Sequence, residues 1–139
     1  MDTAIVIMQK NKKTGLFEKE LQSLVVTKYE QYILNIYALK DEDNKLFLNI
    51  KLTTDRDVLD WEYDAIYDHY DIDIFKNLGY EIIECEDEYN PTWEISLLYI
   101  EDIEEITKVV NDILHYHNQE LTEVINIIKD KEREYKNEE

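Results

Sequence analysis

The spacing of apolar residues changes once along this chain, and that change constrains the fold more than any other feature. Between Leu46 and Thr53, Leu and Ile alternate with Phe, Asn, Lys and Thr, which is typical of a strand with one buried face. From Glu101 onward, apolar residues recur every three or four positions, as on one side of an α-helix. The pattern therefore predicts an α+β fold, with a sheet followed by a helix.

Short polar turns separate the segments with strand character. Gly15, which can take the left-handed backbone of a hairpin turn, ends one turn, and residues 41–45 form another. We expect the first four strands to form an antiparallel meander with one buried face. The first strand is apolar enough to be buried on both faces, and broken alternation in the second predicts a bulge. The six predicted strands are 4–8, 16–27, 29–39, 46–53, 80–86 and 92–99.

The carboxyl-terminal helical pattern runs from about residue 101 to 136 without an internal stop signal. One straight helix of that length would measure roughly 54 Å, longer than a domain of 139 residues is wide. It therefore either bends near 117–120 into a packed pair or projects towards a partner, and residues 130–139 form a frayed tail. The apolar stripe serves packing within the chain or a symmetric homodimer, and we favour the dimer. The stripe residues expected to interact are Ile113, His117, Leu121, Val124 and Ile128.

Acidic side chains are concentrated between residues 55 and 105. This segment has eighteen acidic and two basic side chains, a net charge of −16 out of −18 for the whole chain. Such a charge repels nucleic acid and anionic lipid and attracts cations or basic proteins. We expect a helical insertion here, capped by Thr54 or Asp55, followed by a short second helix that Asp71 caps and Gly79 ends.

The carboxylates of the insertion are the candidate binding residues. Spacings of three and four place one set on the outer side of the predicted helix, where it could contact a basic protein: Asp57, Asp60, Asp64 and Asp68. A second set offers oxygen and imidazole ligands to a divalent cation: Asp64, Asp68, His69, Asp71 and Asp73. Because the second set lacks the ligand spacing and turn glycine of a calcium loop, we expect loose cation association rather than a specific metal or cofactor site.

Other side chains do not complete a catalytic arrangement. His115 and His117 are two residues apart on a helix and point about 200° apart, so one is exposed and the other lies on the apolar seam. Cys85 has acidic neighbours that disfavour its thiolate. A single cysteine, no apolar stretch of bilayer length and no leader-like start predict a cytoplasmic protein. Abundant Ile, Lys, Asn and Tyr suggest a bacterial or phage source.

Residues 74–83 followed by 93–97 resemble the helix, glycine, aromatic residue and strand that end small-molecule N-acetyltransferases. The resemblance covers about a quarter of the chain. It implies a strand after Gly79 and, in that family, a glycine-rich turn that holds the cofactor pyrophosphate. The chain has only two glycines and no such turn, so no cofactor-binding residue is assigned from the resemblance.

Together these features predict one domain over residues 1–139: an antiparallel sheet of about six strands, an acidic helical insertion, and a carboxyl-terminal helix or helix pair packed on the sheet. The predicted function is a non-enzymatic acidic module that binds a protein partner, basic in character, or itself. Direct nucleic-acid or membrane binding is not expected. Two alternatives stay open: an inhibitor that imitates nucleic acid and binds a basic DNA- or RNA-binding protein, and a divalent-cation-dependent enzyme that uses the Asp/Tyr-rich centre.

Overall fold

The computed structural model of the chain describes residues 2–136, which form six strands and four helices. The α+β fold predicted from the sequence is confirmed: a six-stranded sheet, mostly antiparallel, lies against a long carboxyl-terminal helix. The strands are β1 (Thr3–Lys10), β2 (Phe17–Val26), β3 (Ile33–Lys40), β4 (Leu46–Thr53), β5 (Glu81–Glu84) and β6 (Thr92–Leu98). The helices are α1 (Asp60–His69), α2 (Asp73–Lys76), α3 (Ile103–Ile128) and α4 (Glu132–Lys136).

The sheet has the strand order β2-β1-β3-β4-β6-β5. The predicted four-strand meander is therefore wrong, because β1 lies between β2 and β3 and pairs with β3 in parallel. After β2, residues 27–32 cross the end of β1, and a 3-10 turn over Glu30–Tyr32 leads into β3. Six residues easily span the roughly 10 Å between strands that are two positions apart in a sheet.

Irregular pairing between β1 and β2 confirms the predicted bulge. The register shifts between Ile7 and Met8 and again between Gln9 and Lys10, so β2 has extra residues opposite β1. Ile7 and Gln9 are buried, but the remaining described residues of β1 are half-buried or exposed. Burial of the first strand on both faces was therefore a wrong prediction, because helices cover only one face of the sheet.

Helix α3 contributes most of its apolar stripe to the core, although Ile103 at its start is 44% exposed. Its 26 residues are helical without a break through 117–120. A turn at Lys131, whose N–H donates to the Ile128 carbonyl at 2.8 Å, separates it from α4. Ile113, His117, Leu121, Val124 and Ile128 are all at most 3% exposed. The stripe is thus used for packing within the chain. The dimer that we favoured through these five side chains has no exposed surface there, because the sheet and α1 already cover them.

The acidic insertion begins its helix later than predicted. Thr54 and Asp55 do not cap α1, which begins at Asp60, and the Thr54 hydroxyl donates to the Arg56 carbonyl at 2.6 Å instead. At the start of α1, the Glu62 side chain accepts the Leu59 N–H at 2.9 Å and so provides that backbone donor with a partner.

The short helix α2 follows α1 in the chain and precedes strand β5. Asp71 accepts the Asp73 N–H at 3.0 Å at its start, and Gly79 ends the segment with φ +89°. Gly79 therefore acts as predicted, whereas the N-cap position of α2 is Ile72 rather than Asp71, which lies one residue earlier. Phe75 of this segment is fully buried, whereas Leu78 is 45% exposed.

Among residues 2–136, no helix covers the sheet face opposite α3. Its centre is sealed by polar contacts: the Tyr37 hydroxyl donates to Glu94 at 2.6 Å, and Ser96 donates to Asn49 at 2.6 Å. Towards its margin, Ile83 and Leu98 are 58% and 59% exposed. We call this surface the open sheet face.

Candidate functional site

Tyrosine hydroxyls fix the loop between β5 and β6 to helix α1. The Tyr63 hydroxyl lies 3.0 Å from the carbonyl oxygens of both Glu86 and Glu88. The Tyr67 hydroxyl accepts the Thr92 N–H at 2.8 Å and lies 3.1 Å from the Cys85 carbonyl oxygen. Each hydroxyl has one proton to donate, so each anchors the loop backbone by a hydrogen bond that α1 supplies.

Asn90 connects the same loop to the segment before α1. Its side-chain oxygen accepts the Val58 N–H at 3.1 Å, and its amide donates to Asp57 at 3.0 Å. The prediction that Asp57 lies on the helix is therefore wrong. Asp57 lies on the loop that precedes α1. Helix α1, this loop and the β5–β6 loop form one connected surface.

The remaining predicted helix carboxylates do share one side of α1. Asp60, Asp64 and Asp68 are exposed, and steps of four residues turn only about 40°, so the three lie within an arc of about 80°. They follow the side of the helix between the tyrosines and Trp61. We define the acidic face as these three residues together with the carboxylates joined to them through the loops: Asp57, Asp60, Asp64, Asp68, Glu84, Glu86 and Asp87.

Like charges on the acidic face are close enough to affect one another. The pKa of Glu84 is raised, first because partial burial disfavours its charge and then because Glu86 and Asp68 are negative. Within residues 2–136, the ion pairs that involve the 55–105 segment are Lys51–Glu88 at 3.5 Å and Arg56–Glu62 at 2.9 Å. Neither pair includes a carboxylate of the acidic face.

The five cation candidates are not brought together. Asp64 projects to solvent, and Asp68 accepts the Tyr135 hydroxyl at 2.7 Å. Asp71 accepts the Asp73 N–H, and its own backbone N–H donates to Glu120 of α3 at 2.9 Å. Burial raises the pKa of Glu120, and this hydrogen bond from Asp71 opposes that increase. In the part of the chain that the structure describes, no three His, Cys, Asp or Glu side chains, His69 and Asp73 included, are arranged to hold a metal ion.

A buried aromatic cluster around His117 was not predicted. His117 is completely buried, with Nε2 at 2.9 Å from the Thr53 carbonyl oxygen and Nδ1 at 2.7 Å from the Tyr70 hydroxyl. A carbonyl only accepts, so Nε2 bears the proton and Tyr70 donates to Nδ1. Burial lowers the pKa of His117 to about 4. The imidazole is thus a neutral group in the core. The ring centroids of Tyr32 and Trp93 lie 4.9 and 5.5 Å from its own centroid.

Sequence signals for this cluster were present only in part. As predicted, His115 is exposed and His117 lies on the apolar seam of α3. Tyr70 is 47 residues away in sequence, so the histidine's hydrogen bond to it could not be read from spacing. Cys85 is buried, and its thiol pKa is raised by burial and then by Glu94, which agrees with a weak nucleophile.

The segment that resembles N-acetyltransferases does contain a helix, a left-handed Gly79 and the strand β5. Helix termination by glycine accounts for this local order. Over residues 2–136, the helices are too short or too polar to cross a bilayer.

Comparison with known proteins places the chain in a family without assigning an activity. No curated protein and no solved structure matches it. A family model does match, and it covers residues 1–136, which is nearly the full length. The chain therefore belongs to the family described as a family of unknown function (DUF6762).

Proposed function

We propose that the protein is a binding module whose acidic face captures a basic segment of a protein partner. One observation carries the proposal: carboxylates on α1 and the β5–β6 loop point to solvent on a fixed scaffold, without cationic partners among the described residues. Lys and Arg side chains of a partner supply the missing charge.

The tyrosine anchors strengthen the argument because they reduce the entropy that binding must overcome. A mobile acidic loop would lose conformational freedom when a partner bound it, and that loss weakens association. Here Tyr63 and Tyr67 hold the loop backbone before any partner arrives. The raised pKa of Glu84 adds a second effect, since a cation that approaches Glu84, Glu86 and Asp68 relieves their mutual repulsion.

Two expectations from the sequence specify the kind of partner and the compartment in which it binds. A partner that binds nucleic acid is one form of it, because residues four apart on α1 rise about 6 Å and phosphates along a strand of DNA recur roughly every 7 Å. With Asp57 off the helix, that row consists of Asp60, Asp64 and Asp68. We place the activity in the cytoplasm, where a lone buried Cys85 stays reduced.

A binding experiment with matched variants tests the proposal. One variant neutralises the helix row, Asp60→Asn/Asp64→Asn/Asp68→Asn; the control neutralises three exposed acids elsewhere, Glu30→Gln/Glu42→Gln/Asp43→Asn. Both variants change the net charge by the same amount. Proteins retained from a bacterial lysate at about 50 mM salt are compared with those retained at about 500 mM, where screening is much stronger.

We expect the wild type and the control to retain the same basic protein in a salt-sensitive way and the helix-row variant to lose it. Tyr63→Phe should weaken retention with every carboxylate still present. Equal loss in the helix-row variant and the control would show that only net charge matters, and retention that salt does not affect would also contradict the proposal.

Self-association is a second candidate, favoured by the exposed apolar side chains of the open sheet face. Ile83 and Leu98 are more than half exposed there, and none of the helices that the structure describes covers them. We propose that the dimer uses this face rather than α3. Light scattering at high micromolar concentration should then show a dimer that Leu98→Glu disrupts; a monomeric wild type removes this candidate.

A further inference from the structure

A groove of about 300 Å³ lies between α3 and the segment that joins β4 to α1. Its walls are apolar on the α3 side, where Leu121 and Ile125 line it, and on the opposite side, where Val58 lines it. Its polar lining includes Asp55 and Arg56. The volume is at the lower end of the range found for small-molecule sites.

The charges in this groove are unequally neutralised. The Arg56 guanidinium donates to both Glu62 carboxylate oxygens, at 3.1 and 2.9 Å, and also to the Asp57 carbonyl at 3.0 Å. Asp55, by contrast, has no hydrogen bond or ion pair to any residue in the described range 2–136. Arg56 offsets the charge of Asp55 only through space, as the smallest of the effects on the pKa of Arg56. The Asp55 carboxylate oxygens therefore remain able to accept hydrogen bonds from a ligand.

A largely buried aromatic ring lines the same groove as that carboxylate. Tyr32 also lines the groove, and its hydroxyl donates to Asn118 at 2.7 Å while its ring packs edge-on against His117. Asp55 is close enough to contribute to the raised pKa of Tyr32, after the larger effect of burial. A carboxylate next to an aromatic ring is a favourable setting for an organic cation.

We propose that this groove binds a small organic ammonium ion with an apolar body. The ammonium group pairs with Asp55 near the Tyr32 ring, and the apolar body lies between Val58 and the Leu121–Ile125 wall. This site does not depend on the acidic face or on a protein partner, because no carboxylate of the acidic face lines it. Its lining comes from α3, from Tyr32 of the 3-10 turn, and from Thr54, Asp55, Arg56 and Val58.

Titration with three probes of one shape tests the charge requirement. The probes are 2-phenylethylammonium, the neutral 2-phenylethanol and the anionic 3-phenylpropionate, each followed by amide chemical shifts at constant ionic strength. We expect saturable shifts around Asp55, Thr122 and Asn126 with the ammonium probe only. Methylammonium, which lacks the apolar body, should give no saturable shift at the same concentrations.

Two pairs of variants test the location. Asp55→Asn should weaken 2-phenylethylammonium about tenfold, since it removes a charged partner, whereas Asp43→Asn, an equal charge change in the β3–β4 turn, should not. Thr122→Trp, on the groove rim, should block binding, whereas Gln119→Trp, one turn earlier on α3 and outside the groove, should leave it intact. All four positions are exposed, and circular dichroism checks each fold.

The proposal is overturned if the neutral or anionic probe produces the same shifts. It is also overturned if Asp55→Asn and Asp43→Asn weaken the ammonium probe equally, because the cation would then respond only to net charge. Saturable shifts confined to the acidic face would likewise contradict it, and they would support a cation-binding role for that face instead.

Discussion

Acidification should destabilise the protein through His117. This imidazole is fully buried and hydrogen-bonded at both nitrogens, to the Thr53 carbonyl and the Tyr70 hydroxyl. Its pKa is lowered from 6.5 to about 4, first by burial, against smaller opposing effects of the Thr53 carbonyl and Asp55. Lowering the pH through this interval is therefore the perturbation to apply.

The direction and size of the stability change follow from the difference in proton binding between the folded and unfolded chain. Because the unfolded chain takes up a proton near pH 6.5 and the folded chain only near pH 4, stability is present above pH 6.5 and falls as the pH drops. The difference corresponds to about 3 kcal/mol in total, of which about 2.5 kcal/mol should be lost by pH 4.5. Glu84 and Glu120 act in the opposite direction, since their raised pKa values favour the folded state as the pH falls.

Urea unfolding of matched variants separates these effects. The unfolding free energy is measured from pH 7.5 to 4.5 for the wild type, His117→Gln and His115→Gln, whose histidine is exposed on the same helix. We expect the wild type and His115→Gln to lose stability in parallel, and His117→Gln to lose about 2.5 kcal/mol less over the same interval. If His117→Gln shows the same pH dependence as the wild type, the buried imidazole is not the cause and the reasoning is refuted.

Three substitutions test the local arguments. Arg56→Gln should lower the unfolding free energy by about 1 kcal/mol, since the ion pair with Glu62 is half exposed on the arginine side; denaturation in low and high salt measures it, and no change would contradict a stabilising pair. Gly79→Ala should lower the unfolding free energy in urea by about 1–2 kcal/mol, because alanine disfavours a positive φ and no atom lies within 4 Å of the added Cβ. Gly79→Asn should lower it less, because asparagine adopts the left-handed conformation more readily. Tyr67→Phe leaves the Thr92 N–H without its acceptor, so unfolding should become easier by about 1–2 kcal/mol and exchange of that amide faster; unchanged exchange would contradict the bond.

Local patterns predicted the strands well because side-chain alternation is a local property. β4 shows this directly: Leu48, Ile50 and Leu52 are fully buried, as the sequence indicated. The pairing of β1 with β3 could not be predicted in this way. Either side of β1 offers the same backbone groups, and the order depends on how residues 27–32 cross the sheet end.

The start of α1 shows how distant contacts override a local signal. Thr54 and Asp55 are good capping residues, yet the chain bends at Asp55 and Arg56 and does not become helical until after Leu59. Asn90 holds Val58 and Asp57 from a loop more than thirty residues away, and these hydrogen bonds keep the preceding segment out of the helix. Only a structure could place Asp57 with the loop rather than with the helix row.

The alternation of carboxylates and tyrosines on α1 separates binding from stability. Tyr63, Tyr67 and Tyr70 follow one another at helical spacing and point towards the protein, where their hydroxyls bond to the β5–β6 loop and His117. Asp60 and Asp64 occur in the same sequence but face solvent. Changes to the aspartates should therefore alter what the surface attracts while the scaffold remains, whereas changes to the tyrosines alter the scaffold while the charge remains. A partner whose binding depends on both sets recognises a positioned array of carboxylates, and one that depends on the aspartates alone recognises only their charge.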